Sequence, residues 1–187
     1  MSRTASYRSL CALRGQILSV QPMTDAPSET LFDTGSVIRK ATASDAVAIE
    51  KLYRELVSNS PISVLPEHIE TLEKSQTSFL IVAEKRGVVC ATALLNLCAD
   101  VMYRGQPFGV IENVIVTESM RARGLGSLLL AHVEQIALEH DCSKLMLLSS
   151  VSRPVAHSFF QSCGFSGDSK RAFVKYRSQF GASLIKL

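Results

Sequence analysis

Apolar residues along the chain follow two spacings, one typical of helices and one typical of strands. Every third or fourth residue is apolar between Ser44 and Ser58, which predicts an amphipathic helix that Ser44 and Asp45 are suited to cap. Shorter apolar runs bounded by turn residues predict strands. The predicted elements are a strand from about Val37, helices at 44–58 and 66–75, strands at 78–85, 88–99 and 108–116, a helix at 124–140, a strand at 144–150, a helix at 153–164 and a closing strand at 172–177.

This order of elements predicts a mixed α/β fold in one domain. Arg86 and Gly87 separate two strands by a tight turn, which is typical of an antiparallel hairpin. The later strand, helix and strand between Phe108 and Ser150 form a unit whose two strands should run parallel. The run at 144–150 is apolar without alternation, and this predicts a strand buried on both faces.

The residues before the first strand differ in composition from the rest. Residues 21–36 are rich in Pro, Thr, Ser and Asp and show little periodicity, so they are interpreted as a linker. Residues 1–24 contain Arg3, Arg8 and Arg14 and several serines but no acid, which fits either a flexible tail, an extended translation start or an organelle transit peptide. We therefore expect a flexible segment at 1–36 and a folded domain at 37–187.

Charge and cysteine content narrow the classes of function. The chain has 187 residues, and its formal net charge of +3 comes from scattered basic residues, a distribution that argues against a nucleic acid partner. No apolar run reaches the ~20 residues that span a bilayer, so no membrane partner is expected. The five cysteines include no C-x-x-C pair, which predicts reduced thiols, no metal site and a cytoplasmic location.

The stretch RARGLGS, from Arg121 to Ser127, lies between the predicted strand 108–116 and a leucine-rich helix. A strand that enters a helix through glycines presents free backbone N–H groups at the positive end of the helix dipole, where an anion binds. No Lys follows Gly126 as a P-loop would require, and no third glycine completes a dinucleotide fingerprint. Two alternatives stay open from these residues alone: a phosphate cradle, or a turn whose glycines only allow strand and helix to pack.

Two motifs favour the phosphate cradle. The segment VIENVIVTESMRARGLGSLLL closely resembles motif A of the GNAT family of acyl-CoA-dependent N-acetyltransferases, with the match at 112–127. The segment AHSFFQSCGF, at 156–165, resembles motif B of the same family and follows motif A after one helix and one strand, the order found in the family. The resemblance implies the GNAT-type fold, in which helices flank a central mixed, mostly antiparallel sheet.

The resemblance also implies how coenzyme A is held. In the family the turn N–H groups bind the pyrophosphate, and a bulged strand that splays from its neighbour pairs its backbone with the pantetheine arm. Arg153 stands where many members carry an Asn that bonds the pantetheine, so it would reach a phosphate instead. Homodimers are common in the family. The implied cofactor-binding residues are Val114, Ile115, Val116, Arg121, Ala122, Arg123, Gly124, Leu125, Gly126, Ser127 and Arg153.

Acetyl transfer to an amine requires a group that takes a proton from the ammonium form. Glu112 matches the acidic position of motif A and is expected to be the general base or to orient the amine; the alternative is a solvated residue or a structural hydrogen-bond partner. Many members place a Tyr, as general acid, at the position of Phe160, which has no proton to give. Tyr103, Tyr176, a water or unassisted departure of the thiolate are the alternatives.

The sequence therefore predicts an N-acetyltransferase that moves the acetyl group of acetyl-CoA to a primary amine, of a small molecule rather than a protein, by direct transfer in a ternary complex. Because Phe160 replaces the usual Tyr, a non-catalytic acyl-CoA-binding or sensor domain is the alternative. A site for another nucleotide ranks behind both and would be revealed by competition from ATP or NAD.

Overall fold

The computed structural model describes residues 35–57 and 61–181, so most of the predicted tail at 1–36 lies outside the described residues. The helices and strands agree in type and order with the sequence pattern up to the last helix. They are β1 (Ser36–Lys40), α1 (Ala46–Leu56), α2 (Pro66–Glu73), β2 (Ser78–Lys85), β3 (Val88–Cys98), β4 (Phe108–Val116), α3 (Leu125–Glu139), β5 (Leu145–Leu147) and α4 (Pro154–Ser162).

The strands form one five-stranded sheet in the order β1-β2-β3-β4-β5. The first three pairings are antiparallel and the β4–β5 pairing is parallel, as predicted for the strand-helix-strand unit. Arg86 and Gly87 connect β2 to β3 with φ angles of 51° and 79°. Positive φ at both central residues matches the right-handed twist of the strands, which explains the tight hairpin. The fold is therefore the predicted mixed, mostly antiparallel sheet with flanking helices.

Two apolar clusters cover the two faces of the sheet. On one face, α3 packs against β1 to β4, and this cluster includes Ile81, Leu95, Ile111, Leu129 and Val133. On the other face, α1 and α2 pack on a cluster that includes Ile49, Ile69, Leu80 and Val82. Packing each amphipathic helix on the sheet removes its apolar stripe from water. This burial stabilises the fold by about 25 cal/mol per Å² of apolar surface.

Strand β4 contains a bulge at its centre. Glu112 pairs with Leu94, but Ile115 pairs with Thr92, so Asn113 and Val114 together oppose one residue of β3. Asn113 has a φ of 55°, a left-handed conformation that few residues other than Gly adopt. Since directly paired residues share a face of the sheet and Leu94 packs on the α1–α2 cluster, Glu112 faces the α1 side. A bulge of this kind bends its strand and increases the local twist.

Two predictions for the C-terminal part are wrong. The predicted closing strand at 172–177 is not a strand in the structure, and its Phe173 and Tyr176 are exposed. Strand β5 spans only Leu145–Leu147, and Met146 is 39% exposed, so the strand is not buried on both faces. An apolar pattern shows which side chains a strand would bury, but pairing needs the free edge of another strand, and none of the described residues pairs with the outer edge of β5.

The segment between β1 and α1 is held by a buried carboxylate. Asp45 accepts hydrogen bonds from the guanidinium of Arg39, at 2.7 and 3.0 Å, and from the backbone N–H of Thr42, at 2.8 Å. Its side chain is 7% exposed. These bonds, that of Arg39 above all, hold the pKa of Asp45 below its ordinary value of 3.8. The carboxylate thus ties the entry of α1 to the edge of the sheet.

We expect Asp45→Asn to lower the free energy of unfolding at pH 7 by about 2 kcal/mol, because a buried charged acceptor is lost. A carboxyl whose pKa is lower in the folded state contributes stability above its unfolded pKa and loses it as pH falls. The difference between the variant and the natural protein should therefore shrink below about pH 4. Urea unfolding at pH 7 and pH 3 measures this difference in unfolding free energy, with Arg54→Gln as control. An equal difference at both pH values would contradict the prediction.

Candidate active site

The centre of the candidate site is an open edge of β4. Its parallel pairing with β5 covers only Gly109 to Ile111, opposite Leu145 to Leu147. Beyond Ile111, β4 continues to Val116 along β3, but no described strand pairs with its other edge. The two strands therefore part at the bulge and leave a slot bordered by residues 112–116, among them Val114 and Ile115. A strand edge of this kind offers backbone N–H and C=O groups to an extended amide-containing ligand.

The loop that follows β4 presents free donors at the start of α3. Ala122 and Gly124 have φ angles of 58° and 79° and turn the chain into the helix. The first helical hydrogen bond runs from the N–H of Leu128 to the carbonyl of Gly124, at 3.0 Å. Within the described ranges, nothing accepts from the N–H groups that precede it, those of Leu125, Gly126 and Ser127. These three groups at the positive end of the α3 dipole are suited to bind an anion.

The two glycines of the loop have different reasons to be glycine. A Cβ on Gly124 would meet no atom within 4 Å, but the φ of 79° strains any other residue. A Cβ on Gly126 would lie 2.9 Å from Cζ of Phe159 and 3.4 Å from Cγ2 of Val116. The sequence left open whether the glycines serve a phosphate or packing. Gly126 serves packing, because it lets α3 begin directly against the aromatic ring of α4.

One basic residue of the loop also has a structural contact. The Nε of Arg121 donates to the carbonyl of Val116 at 3.0 Å, so Arg121 closes the turn and removes that carbonyl from the open edge. Arg123 and Ser127 are exposed. Arg153 is exposed just before α4, where its backbone N–H donates to the carbonyl of Ser150 at 3.0 Å. Arg121 thus closes the turn through its Nε, and both Arg121 and Arg123 are exposed.

Glu112 lies on the open part of β4 and faces the α1 side of the sheet. Its side chain is partly buried, and it makes no hydrogen bond or ion pair with any residue in the described part of the chain. The alternative that Glu112 is a structural hydrogen-bond partner therefore finds no support. A partly buried carboxylate without a protein partner next to an open slot is suited to bind or deprotonate an ammonium group.

Phe160 belongs to the packing of α4. The helix ends in a Schellman motif, in which the N–H of Phe165 donates to the carbonyl of Phe160 and that of Gly164 to Gln161. The rings of Phe160 and Phe165 stack edge to face with centroids 6.2 Å apart and join the cluster under α3. The position at which the family's Tyr would stand is therefore apolar and contains no proton donor.

Three functional candidates were not identified from the sequence. The Oγ of Ser149, just beyond β5, is buried without a hydrogen bond from any described residue, which is unusual for a buried polar atom. Tyr53 and Glu55 lie on the last turn of α1. Tyr53 packs on the α1–α2 cluster, and Glu55 accepts a hydrogen bond from Thr117 at the start of the loop. No sequence pattern marks them, because serine is common in turns and the α1 residues follow ordinary helical spacing.

Further observations concern membrane spans, metal-binding groups and free cysteines. In the residues that the structure describes, no helix is long and apolar enough to cross a membrane. Nor do those residues contain a group of three or more His, Cys, Asp or Glu side chains that could hold a metal ion. The cysteines at 90, 98, 142 and 163 are free thiols.

The chain is similar to several proteins named as acetyltransferases. The chain is 28% identical to a glucosamine 6-phosphate N-acetyltransferase of Candida albicans over 58% of this chain and 70% of that protein. A solved putative acetyltransferase from Agrobacterium tumefaciens superposes with a TM-score of 0.68 and 27% identity, over 75% of this chain and 99% of the other. An aminoglycoside N-acetyltransferase in complex with CoA has the same fold, with a TM-score of 0.65 and 19% identity over 76% and 95% of the two chains.

The family model of the GNAT acetyltransferases matches residues 49–165, which is more than half of the chain. That range contains β2 to β5 together with both motifs, the open edge of β4 and the loop before α3. The chain belongs to the GNAT family of acetyltransferases.

Proposed function

We propose that the protein transfers the acetyl group of acetyl-CoA to the primary amine of a small molecule, by direct attack within a ternary complex. One observation carries this proposal. β4 leaves its neighbour after Ile111 and leads, along an unpaired edge, to three free N–H groups at the start of α3. This arrangement suits a ligand that combines an amide-containing arm with a diphosphate.

The residues present fit coenzyme A at both ends of the slot. The N–H groups of Leu125, Gly126 and Ser127, with the exposed Arg123 of the same loop, supply donors and positive charge for a diphosphate. The open edge at Val114 and Ile115 and the unsatisfied Oγ of Ser149 supply partners for amides. The CoA complex of a neighbour with the same fold supports this assignment.

Glu112 is suited to the first proton transfer. Its carboxylate takes a proton from the ammonium group, directly or through a water, and the free amine then attacks the thioester carbonyl. The N–C bond forms, the C–S bond breaks, and the nitrogen gives its second proton to solvent water as the thiolate leaves. A thiol with a pKa of ~8.5 is a fair leaving group, so the thiolate can leave without a general acid. Because Phe160 has no proton to give, the thiolate then takes its proton from water.

A small amine is the acceptor that the relatives support. The curated relative is named for glucosamine 6-phosphate and a structural neighbour for aminoglycosides, both amino sugars. Glu112 faces α1, so the acceptor would approach from the α1–α2 side of the sheet. We infer that the acceptor amine is carried by a polar small molecule and lies between β4 and these helices.

A non-catalytic acyl-CoA-binding domain is the second candidate, and Phe160 is the observation that favours it. A sensor would need the cradle and the open edge but no proton-transfer groups. It would bind acetyl-CoA without releasing thiol in the presence of any amine. Glu112, partly buried without a partner, is the observation that favours catalysis instead.

The test has two stages. Calorimetry with acetyl-CoA and CoA should give dissociation constants below about 100 μM, within the range usual for enzyme substrates. Thiol release is then followed over a panel of amino sugars, aminoglycosides and polyamines. Sustained turnover with one of them supports the enzyme, binding without turnover supports the sensor, and no binding to either nucleotide rejects both.

A further inference from the structure

Strand β5 is the last strand of the sheet, and no described residue pairs with its outer edge. An unpaired edge presents backbone N–H and C=O groups that another strand can bind. The apolar side chains of this strand lie on both of its faces. Leu145 and Leu147 pack on the cluster under α3. Met146 and Leu148 alternate with them and are 39% and 56% exposed. An added strand would therefore find hydrogen bonds and apolar surface at this edge.

A groove of about 730 Å³ runs between α3 and β5. Its apolar lining includes Leu130, Ala131 and Leu138 of α3, Leu145 and Leu147 of β5, and Phe165 after α4. Leu138 is 67% exposed there, which is unusual for a large apolar side chain in a groove that stays open to water. The groove thus leaves room for side chains on the α3 side of a further strand.

The chain also contains a segment with a strand pattern that is not part of the sheet, AFVKYR at 172–177. In an extended conformation Ala172, Val174 and Tyr176 would share one face, and Phe173 would lie on the other face with two basic residues. In the structure Phe173, Val174 and Tyr176 are 89%, 55% and 68% exposed. The protein therefore has a strand edge without a strand and a strand pattern without an edge.

A second copy of the chain is the partner that fits both features. Within one copy the chain lines the groove at Ser166, Ser169 and Lys170, but residues 172–177 do not line it. A two-fold axis between two copies brings the segment of each to the edge of the other, so that both contacts form at once. Such a dimer is closed and leaves no further edge for a third copy.

The exposed aromatic surface is large enough for a stable dimer. An aromatic side chain buries about 150–250 Å², so covering Phe173 and Tyr176 in both copies removes roughly 600 Å² from water. The surface that covers these rings is buried as well, which brings the total to about 1,200 Å², the lower end for stable interfaces. Exposed Met146, Leu148 and Leu138 add to this area.

We propose that the protein forms a two-fold dimer in which residues 172–177 of each copy add as a strand to the outer edge of β5 in the other. Val174 and Tyr176 then enter the groove beside α3, and Phe173 covers Met146 and Leu148 on the opposite face of the sheet. This inference goes beyond the proposed function and does not depend on it, because the interface needs neither nucleotide nor amine.

Analytical ultracentrifugation of the full chain tests the dimer. Val174→Asp brings a carboxylate into the apolar groove, and Leu138→Lys sets a positive charge against a basic segment. Both side chains are more than half exposed within one copy, so the fold of that copy should be unaffected. Each variant should raise the dissociation constant of the dimer at least about 100-fold, because a charge is buried without a partner. Val47→Asp, at an 83% exposed position on α1, is the matched control and should stay dimeric.

Mixing the two variants shows whether the segment crosses between copies. A mixed dimer joins one intact segment to one intact edge, whereas a dimer of either variant alone contains no intact pair. The mixture should therefore dimerise at least about tenfold more tightly than either variant alone. No recovery on mixing would overturn the exchange. A natural protein that is monomeric at tens of micromolar would overturn the dimer itself, and loss of thermal stability in both variants of that monomer would mean that the segment pairs with β5 of its own chain.

Discussion

Replacing Glu112 with Gln is expected to lower kcat for amine acetylation about 100- to 1,000-fold, the size usual for loss of a general base. Gln preserves the shape of the side chain, and Glu112 bonds to no described residue, so the fold should be unaffected. The affinity for acetyl-CoA should change less than about twofold, because the cradle lies at the other end of the slot. Steady-state thiol release and calorimetry on the same preparations measure the two effects.

The choice of acceptor makes this prediction sharper. An amine that is already unprotonated at the assay pH has no proton for Glu112 to remove. The defect of Glu112→Gln should therefore shrink as the pKa of the acceptor falls or as the pH of the assay rises. Glu139→Gln, at an exposed position on α3, serves as the matched control and should keep full activity. A defect of constant size across acceptors would mean that Glu112 orients the amine and does not take its proton.

Replacing Gly126 with Val is expected to cost about 3 kcal/mol of unfolding free energy, at the upper end for overpacking. The added carbons would enter space held by Phe159, whose ring lies 2.9 Å from the first of them, and by Val116. Since the start of α3 must then move, the free N–H groups lose their alignment, and the dissociation constant of CoA should rise about tenfold. Urea unfolding and calorimetry measure the two changes.

A second variant separates packing from backbone conformation. Phe159→Leu in the Gly126→Val background should recover part of the lost stability, because the smaller side chain makes room. Gly124→Ala, where a Cβ meets nothing within 4 Å, should cost about 1 kcal/mol through its φ of 79° alone. Adding Phe159→Leu to the Gly124→Ala variant should recover none of the lost stability. Recovery in both backgrounds would contradict the contact between Gly126 and Phe159.

The elements that agreed with the sequence are those whose signal is local. Helical spacing between Ala46 and Leu56, the Arg86-Gly87 turn and Gly164 at the end of α4 each appear in a few consecutive residues. The closing strand at 172–177 has a strand pattern too, yet a strand also needs an edge to pair with. That partner is a property of the whole sheet, and periodicity within the segment cannot show it.

The features of the candidate site also fall into those with a local sequence signal and those that depend on the tertiary structure. By itself the sequence determined the family, the order of the two motifs, the loop from Arg121 to Ser127 and the position of Glu112, because these are short patterns with fixed spacing. Only the tertiary structure decided that Gly126 packs on Phe159, that Arg121 closes its own turn and that Glu55 of α1 bonds to the start of the loop at Thr117. The contacts of Gly126 and of α1 join residues far apart in the chain, and the bond from Arg121 to Val116 depends on how the loop folds back on β4. No spacing in the sequence specifies which side chains meet there.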